Sequence, residues 1–233
     1  MDQNRVSTSA DLGRRATEGT LLFIVALWLL IFLPAGSLAY WQGWLFWAHF
    51  SIWSAAGAWY FVKHDPALVQ RRLRAGPGAE REPAQKRIQL FLTIVMCALF
   101  VVSALDHRFG WSGVPRAIVI AGNLLVAVGY RFVFLVLREN SFAASTIEVA
   151  PDQKVISTGP YALVRHPMYS GALLMFAGVP LALGSWWGLV PFILLVPGIV
   201  ARLEEEEAYL VRNLPGYEAY RNTVRWRLLP GVW

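Results

Sequence analysis

Charge is scarce in this sequence: Asp, Glu, Lys and Arg make up 15% of its 233 residues, against about 25% in a soluble domain. With an apolar fraction of 56%, that scarcity excludes a disordered chain, a collagen and an ordinary soluble enzyme. Cysteine is rarer still. Cys97 stands alone, so an internal disulfide is impossible, and its place in an apolar run reads as a buried or lipid-facing thiol. Histidine occurs four times. His49 and His107 are isolated, and no spacing suits a metal ligand set. What is abundant is apolar sequence in long runs.

The balance of charge is basic, 21 Lys and Arg against 15 Asp and Glu. A basic chain suits nucleic acid or a membrane. The apolar fraction decides for the membrane, with lipids and not nucleic acid as the expected surroundings.

A bilayer core takes about 20 apolar residues of helix. Four stretches approach that length: Thr20–Leu38, Trp44–Val62, Ile88–Leu105 and Ala117–Leu137. Two shorter ones follow, Tyr169–Leu183 and Trp186–Ala201, separated by Gly184-Ser185 and interrupted by Pro180, Pro191 and Pro197. They read as a helical hairpin that lines something, because broken helices survive in lipid only where protein or a cavity satisfies the backbone. Arg14 and Arg15 before the first span, and Ser37-Leu38-Ala39 after it, imitate a signal peptide. The run is too long for one, so it reads as uncleaved. The expected fold is an all-α integral membrane bundle of four spans plus the hairpin, with a loop and a C-terminal helix outside the bilayer. Residues 1–137 would be the membrane spans and 138–233 the functional region.

Loop charges set the orientation. Arg5, Arg14 and Arg15 precede span one. Lys63, Arg71, Arg72, Arg74, Arg81, Lys86 and Arg87 lie between spans two and three. Arg138, Lys154 and Arg165 follow span four, and five arginines lie from Arg202 onward. If six segments cross, these eighteen share one side and only Arg108 and Arg116 the other. Both termini are then cytoplasmic, in an inner membrane for a bacterium or the endoplasmic reticulum for a eukaryote. Arg131 sits inside span four, about 9 Å from its cytoplasmic end by helix rise. It is either functional, as intramembrane arginines are by default, or a snorkelling side chain. Asn123, deeper, suits an interhelical hydrogen bond.

The polar and unusual residues gather after Leu137. Ser145–Val149 and Val155–Ser157 are β-prone runs around the turn Pro151-Asp152, which predicts a short hairpin at the membrane surface. Gly159-Pro160 turns the chain, and Pro167 suits the first turn of the next helix. That helix start favours a carboxylate, with Arg165 and His166 beside it. Tyr161 and Tyr169 offer aromatic faces to an adenine or a sulfonium. The bland reading of these residues is an interfacial belt. Further on, Arg202 and Glu206 are i,i+4 neighbours. A solvated, salt-bridged exit from the membrane accounts for Glu204, Glu205 and Glu207, but less well for Arg202. Leu203, Leu210 and Leu214 give the helix an apolar stripe for the loop or the membrane surface.

The ordered set Gly159-x-Tyr161-x3-Arg165-His166-Pro167-x-Tyr169-x-Gly171, Arg202-x3-Glu206-Glu207-x2-Leu210, Gly216-x3-Tyr220 and Pro230 resembles the isoprenylcysteine carboxyl methyltransferase family. The resemblance covers roughly residues 135–230; the earlier spans match only in character. It implies an integral membrane enzyme using S-adenosyl-L-methionine. Matched by position, the cofactor contacts would be Gln153, Lys154, Val155, Ile156, Tyr161, His166, Pro167, Met168, Tyr169 and Glu206. Thr146 falls at a further contact position with a different residue type. Arg202 would face the acceptor, and Arg202 and Glu206 would be the catalytic pair. The absence of a Gly-rich Rossmann loop agrees, since this family does not use the soluble methyltransferase fold. The implied partner is a lipophilic small molecule or a prenylated substrate; the earlier spans do not match closely enough to carry the prenylated cysteine over, and another thiol, a small carboxylate or a lipid stays open as the acceptor.

Three other readings compete. A phospholipid N-methyltransferase shares the motif and cofactor, and would need a base, for which Glu206 is the obvious group. A membrane sterol reductase using NADPH also carries an Arg-His-Pro-x-Tyr stretch, although Arg202-x3-Glu206-Glu207 argues against it. A transporter would show inverted repeats, and none is visible.

Overall fold

A computed structural model describes residues 9–80 and 82–233, and every regular element among them is helical. The α-helices are α1 (Ser9–Ala35), α2 (Trp41–His64), α3 (Pro66–Arg72), α4 (Pro83–Phe109), α5 (Arg116–Glu139), α6 (Pro167–Ala182), α7 (Leu189–Asn213) and α8 (Tyr217–Thr223). Arg5 and Arg81 of the charge comparison lie outside the described residues.

α1, α4 and α5 are long and apolar enough to cross a membrane. α2 has 24 residues but dilutes its apolar content with Trp, Gly, Ser and His. The expected hairpin forms, and neither half breaks at its proline. α6 runs through Pro180 and α7 through Pro197. α7 is also longer than its apolar stretch. Its 25 residues continue past Ala201, so Arg202, Glu206 and Glu207 ride on the same rigid rod as the apolar half.

α5 and α6 pack antiparallel with their backbones almost touching. A Cβ on Gly122 would stand 2.4 Å from Ala182 N, one on Gly129 2.5 Å from Met175 N, and one on Gly178 2.6 Å from Gly122 O. Small residues permit this approach, which gains dispersion contact where lipid offers no hydrophobic drive. Gly129→Leu is therefore expected to force the helices apart and cost about 1–3 kcal/mol, the range for overpacked cores. A detergent-solubilised melt should show the loss, and an unchanged transition would refute the close packing. Leu27, Ile31, Phe46, Leu99, Val126 and Val179 fill the core between these helices and α1, α2 and α4.

One end of the bundle is tied by Asp106. Its buried carboxylate accepts from Ser112 N at 2.7 Å, from Ser112 Oγ, from Ser185 Oγ and from Trp187 N at 3.4 Å. It fastens the α4–α5 connection to the α6–α7 turn. Tyr40 Oη donates to Leu183 O at 2.6 Å beside it and stacks on His107. Arg108 lies at this end, against Gly36. The start of α1 lies at the other end, where a Cβ on Gly13 would meet Val62 at 3.8 Å. The C-terminal segment is there too, since Arg165 N donates to Trp226 O at 2.9 Å and His166 N to Arg227 O at 3.0 Å. Asn123 bonds within its own helix, to Val119 O at 3.0 Å, and across to His49 on α2 at 3.4 Å. Arg131 is exposed on the outside of α5 over the Phe134 ring.

The predicted β-hairpin over 145–157 does not form; the segment is an irregular loop with turns. Side chains take the backbone groups that a ladder would have used. Ala143 O accepts from Arg72 at 3.2 Å, Ser145 O from Arg202 at 2.9 Å, and Ile147 N donates to Glu80 at 3.3 Å. β propensity is a preference for a packed, pleated neighbourhood, and the described chain places no partner strand beside this segment.

Candidate active site

The loop closes a cavity of about 390 Å³ at the end of the bundle where α6 begins. Residues 143–156 form one wall, the stretch from Tyr161 to Tyr169 another, and α7 from Leu195 to Leu210 a third. The size is within the usual range for a small-molecule site. All the residues singled out by position line it: Gln153, Lys154, Val155, Ile156, Tyr161, His166, Pro167, Met168, Tyr169, Arg202 and Glu206, and Thr146 with them.

Pro160 and the left-handed Gly159 (φ 56°) set a short 3₁₀ turn, Gly159–Ala162, that presents Tyr161. Its hydroxyl accepts from Asn140 Nδ2 at 2.9 Å, and its carbonyl from Tyr220 Oη at 2.8 Å. Burial pushes the phenol up to about 12 despite the Asn140 hydrogen bond, so Tyr161 stays neutral. His166 precedes α6 with 5% of its surface exposed. Burial first, then the charges of Arg165 and Arg227, hold its imidazole neutral down to about 3. Its Nε2 is buried without a partner.

On the facing helix Tyr169 Oη donates to Glu206 Oε2. Burial raises the Glu206 carboxyl, while the Tyr169 hydrogen bond and Arg202 oppose the rise. Arg202 does not pair with Glu206 as the i,i+4 spacing predicts. Its Nη2 reaches Glu80 at 2.8 Å and Ser145 O at 2.9 Å, and its Nη1 is buried without a partner. Arg202 and Glu80 are 7% and 3% exposed, so the pair works at low effective dielectric, where charge pairing is strong and an unpaired charge costly.

Two expectations are corrected. Glu207 is not part of a solvated exit: only Glu204 and Glu205 are exposed, and Glu207 is buried. It accepts from Arg227 Nε at 2.7 Å and pairs with Arg165 Nη2 at 2.9 Å. Arg165, expected to face a carboxylate at the helix start, is spent instead on Glu207 and on the carbonyls of Val224 and Arg225, both at 2.8 Å. Glu80 and Arg72, from the connection between α2 and α4, were not singled out by the sequence. Nothing local separates Arg72 from Arg71, and Glu80 lies 122 residues from Arg202. Tyr217, whose buried hydroxyl has no partner, also lines the cavity. The apolar stripe behaves as expected. Leu210 and Leu214 pack with Tyr217 and Tyr220 against Val149 and Val155 of the loop. Among the described residues no cluster of His, Cys, Asp and Glu is able to hold a metal ion.

Residues 117–215, which include the α5–α6 pair and most of this cavity, match the family described as phospholipid methyltransferase. Over 75 residues the chain is 36% identical to the protein-S-isoprenylcysteine O-methyltransferase of Schizosaccharomyces pombe, a match covering 31% of this chain and 32% of that protein. The match thus spans about a third of the relative's length. Both findings agree with the motif resemblance: residues 117–215 are similar to the phospholipid methyltransferase family, and a stretch of 75 residues is similar to an isoprenylcysteine O-methyltransferase.

Proposed function

We propose that this protein is a membrane methyltransferase that uses S-adenosyl-L-methionine to methylate a carboxylate on a lipophilic, prenylcysteine-like acceptor. The observation that carries the reading is the cavity itself. It joins a polar end, with Tyr161, His166, Tyr169, Arg202 and Glu206, to an apolar end walled by Leu92, Met96, Phe176, Leu195 and Ile199. The polar end has orphaned groups for donor and acceptor: His166 Nε2 and Tyr217 Oη for the cofactor and Arg202 Nη1 for the acceptor are buried without partners. The apolar end lies between α4, α6 and α7, where an acyl or prenyl chain would share the bundle's lipid-like interior. Residues 138–233 supply most of the site, and 1–137 the scaffold. The charge asymmetry supports a cytoplasmic position for this end and both termini.

Bound S-adenosyl-L-methionine supplies an electrophilic methyl group on a cationic sulfonium. The protein's own part is to bind, orient and exclude water. Tyr161, Tyr169 and the neutral His166 offer faces and a ring nitrogen without a competing positive charge. Glu206, held by Tyr169, contributes negative charge on the same side. Arg202 presents Nη1 to the acceptor carboxylate while Glu80 holds the other half of the guanidinium. A carboxylate is ionised at neutral pH, so no base is required. Opposite charges that cancel during transfer do so more easily where water is excluded. The Glu80 pairing also keeps Arg202 from over-stabilising the acceptor before reaction.

The family match and the half-buried Glu206 support a second reading, N-methylation of a phospholipid amine. There Glu206 would take the proton, and turnover would climb steeply with pH as the amine deprotonates, whereas a carboxylate acceptor predicts a nearly flat profile around neutrality. S-adenosylhomocysteine at about 100 times its Kd is expected to stabilise the purified protein by about 2.7 kcal/mol, with NADPH inert. A melting temperature raised by NADPH and not by S-adenosylhomocysteine would overturn the methyltransferase reading.

A further inference from the structure

Arg72 carries an unassigned role. It ends α3, a helix bolted to the loop from several sides. Asp65 caps α3 by accepting from Leu68 N at 3.0 Å, and Ser141 Oγ donates to the same carboxylate. Arg71 donates to Ser141 O at 2.7 Å. This places Arg72 on the cavity wall, beside Ala75 and Gly76. Its Nη1 reaches Ala143 O at 3.2 Å and lies 3.7 Å from Met168 Sδ.

Three arginines line the cavity: Arg72, Arg165 and Arg202. Arg165 is neutralised by Glu207 at 2.9 Å and Arg202 by Glu80 at 2.8 Å. Among the described residues no carboxylate lies within ion-pair distance of Arg72. Burial lowers its pKa from the ordinary arginine value, and the groups opposing that are the phenols of Tyr130, Tyr161 and Tyr169. Arg72 is half-buried, and a guanidinium partly withdrawn from water beside phenols, a thioether and one carbonyl gains from an anion placed against it. Its fork geometry matches a carboxylate.

The cavity therefore offers two cationic positions, one at Arg202 and one at Arg72. The surroundings distinguish them. Arg202 lies at the polar end, about one turn of α7 from Ile199 of the apolar wall, with Glu80, Glu206 and Tyr169 acting on it. Tyr169 bears on both arginines, whereas Arg72 also stands beside Met168 and is within the influence of Tyr161. We propose that Arg72, from outside the family-matched residues 117–215, holds the carboxylate of the methyl donor's amino-acid end, leaving Arg202 for the acceptor. The assignment rests on the methyltransferase reading above.

The test is calorimetry on the purified full chain with two nucleosides, S-adenosylhomocysteine and 5′-methylthioadenosine, of which the second lacks the amino-acid end. Arg72→Met keeps the stem and removes the charge; Arg72→Lys keeps the charge and removes the fork. The wild-type protein should prefer S-adenosylhomocysteine. Arg72→Met should weaken that ligand by about tenfold or more, the scale of one charge-assisted contact, and leave 5′-methylthioadenosine within about twofold. Arg72→Lys should recover part of the difference. Equal weakening of both nucleosides would overturn the proposal in favour of a packing role. Intact S-adenosylhomocysteine affinity with a raised acceptor KM would overturn it in favour of the acceptor's carboxylate. If the wild-type protein binds neither nucleoside, the methyltransferase reading itself falls, and the assignment with it.

Discussion

Arg202→Ala is expected to lower turnover by about a hundredfold or more, the cost of losing the group that orients a reactant, with S-adenosylhomocysteine affinity nearly unchanged. The split follows from what the guanidinium touches. One half is anchored by Glu80 and Ser145 O, and the other is buried and unengaged on the cavity wall. Removing the side chain also strands Glu80, 3% exposed, and breaking a buried pair costs about 3–5 kcal/mol. The double variant Arg202→Ala with Glu80→Gln removes that stranded charge, so it should recover stability without recovering turnover. Turnover is read with radiolabelled donor, and affinity by calorimetry. Parallel loss of turnover and nucleoside affinity would sink the assignment of Arg202 to the acceptor.

The largest loss of stability is expected for Glu207→Ala. Its carboxylate joins three parts of the molecule: α7, the chain entering α6 through Arg165, and the C-terminal segment through Arg227. Arg165 is 8% exposed, so the variant leaves a buried cation uncompensated, at about 3–5 kcal/mol. The same segment accepts hydrogen bonds from Arg165 N and His166 N and, through Leu228 O, from Ser170 Oγ at 2.7 Å. Its release should therefore expose residues 224–233 to limited proteolysis and disturb His166. Resistance to protease equal to the wild type, with an unshifted unfolding transition, would show that Glu207 does not hold this junction.

Much of the architecture is legible in the apolar pattern, because a helix in lipid must satisfy its own backbone and so announces itself by length. The paired polar motifs were also legible, since each is local in sequence. The errors share one cause. Four consecutive glutamates look alike as text, but a helix turns about 100° per residue. Glu204 and Glu205 therefore face water, while Glu206 meets Tyr169 and Glu207 meets Arg165 and Arg227. Likewise the β-prone run over 145–149 could not show that Glu80, Arg72 and Arg202 would claim the backbone around it.

The order of residues thus indicated long apolar helices and the hairpin around Gly184-Ser185, and the motif resemblance named side chains from Gln153 to Glu206 that line one cavity. The fold alone chose their partners: Glu80 for Arg202, Glu207 for Arg165, and no carboxylate for Arg72 among the described residues. Periodicity and local motifs report interactions a few residues apart. The electrostatic character of a buried cavity is set by charges brought together across more than a hundred residues, and that pairing exists only once the helices have packed.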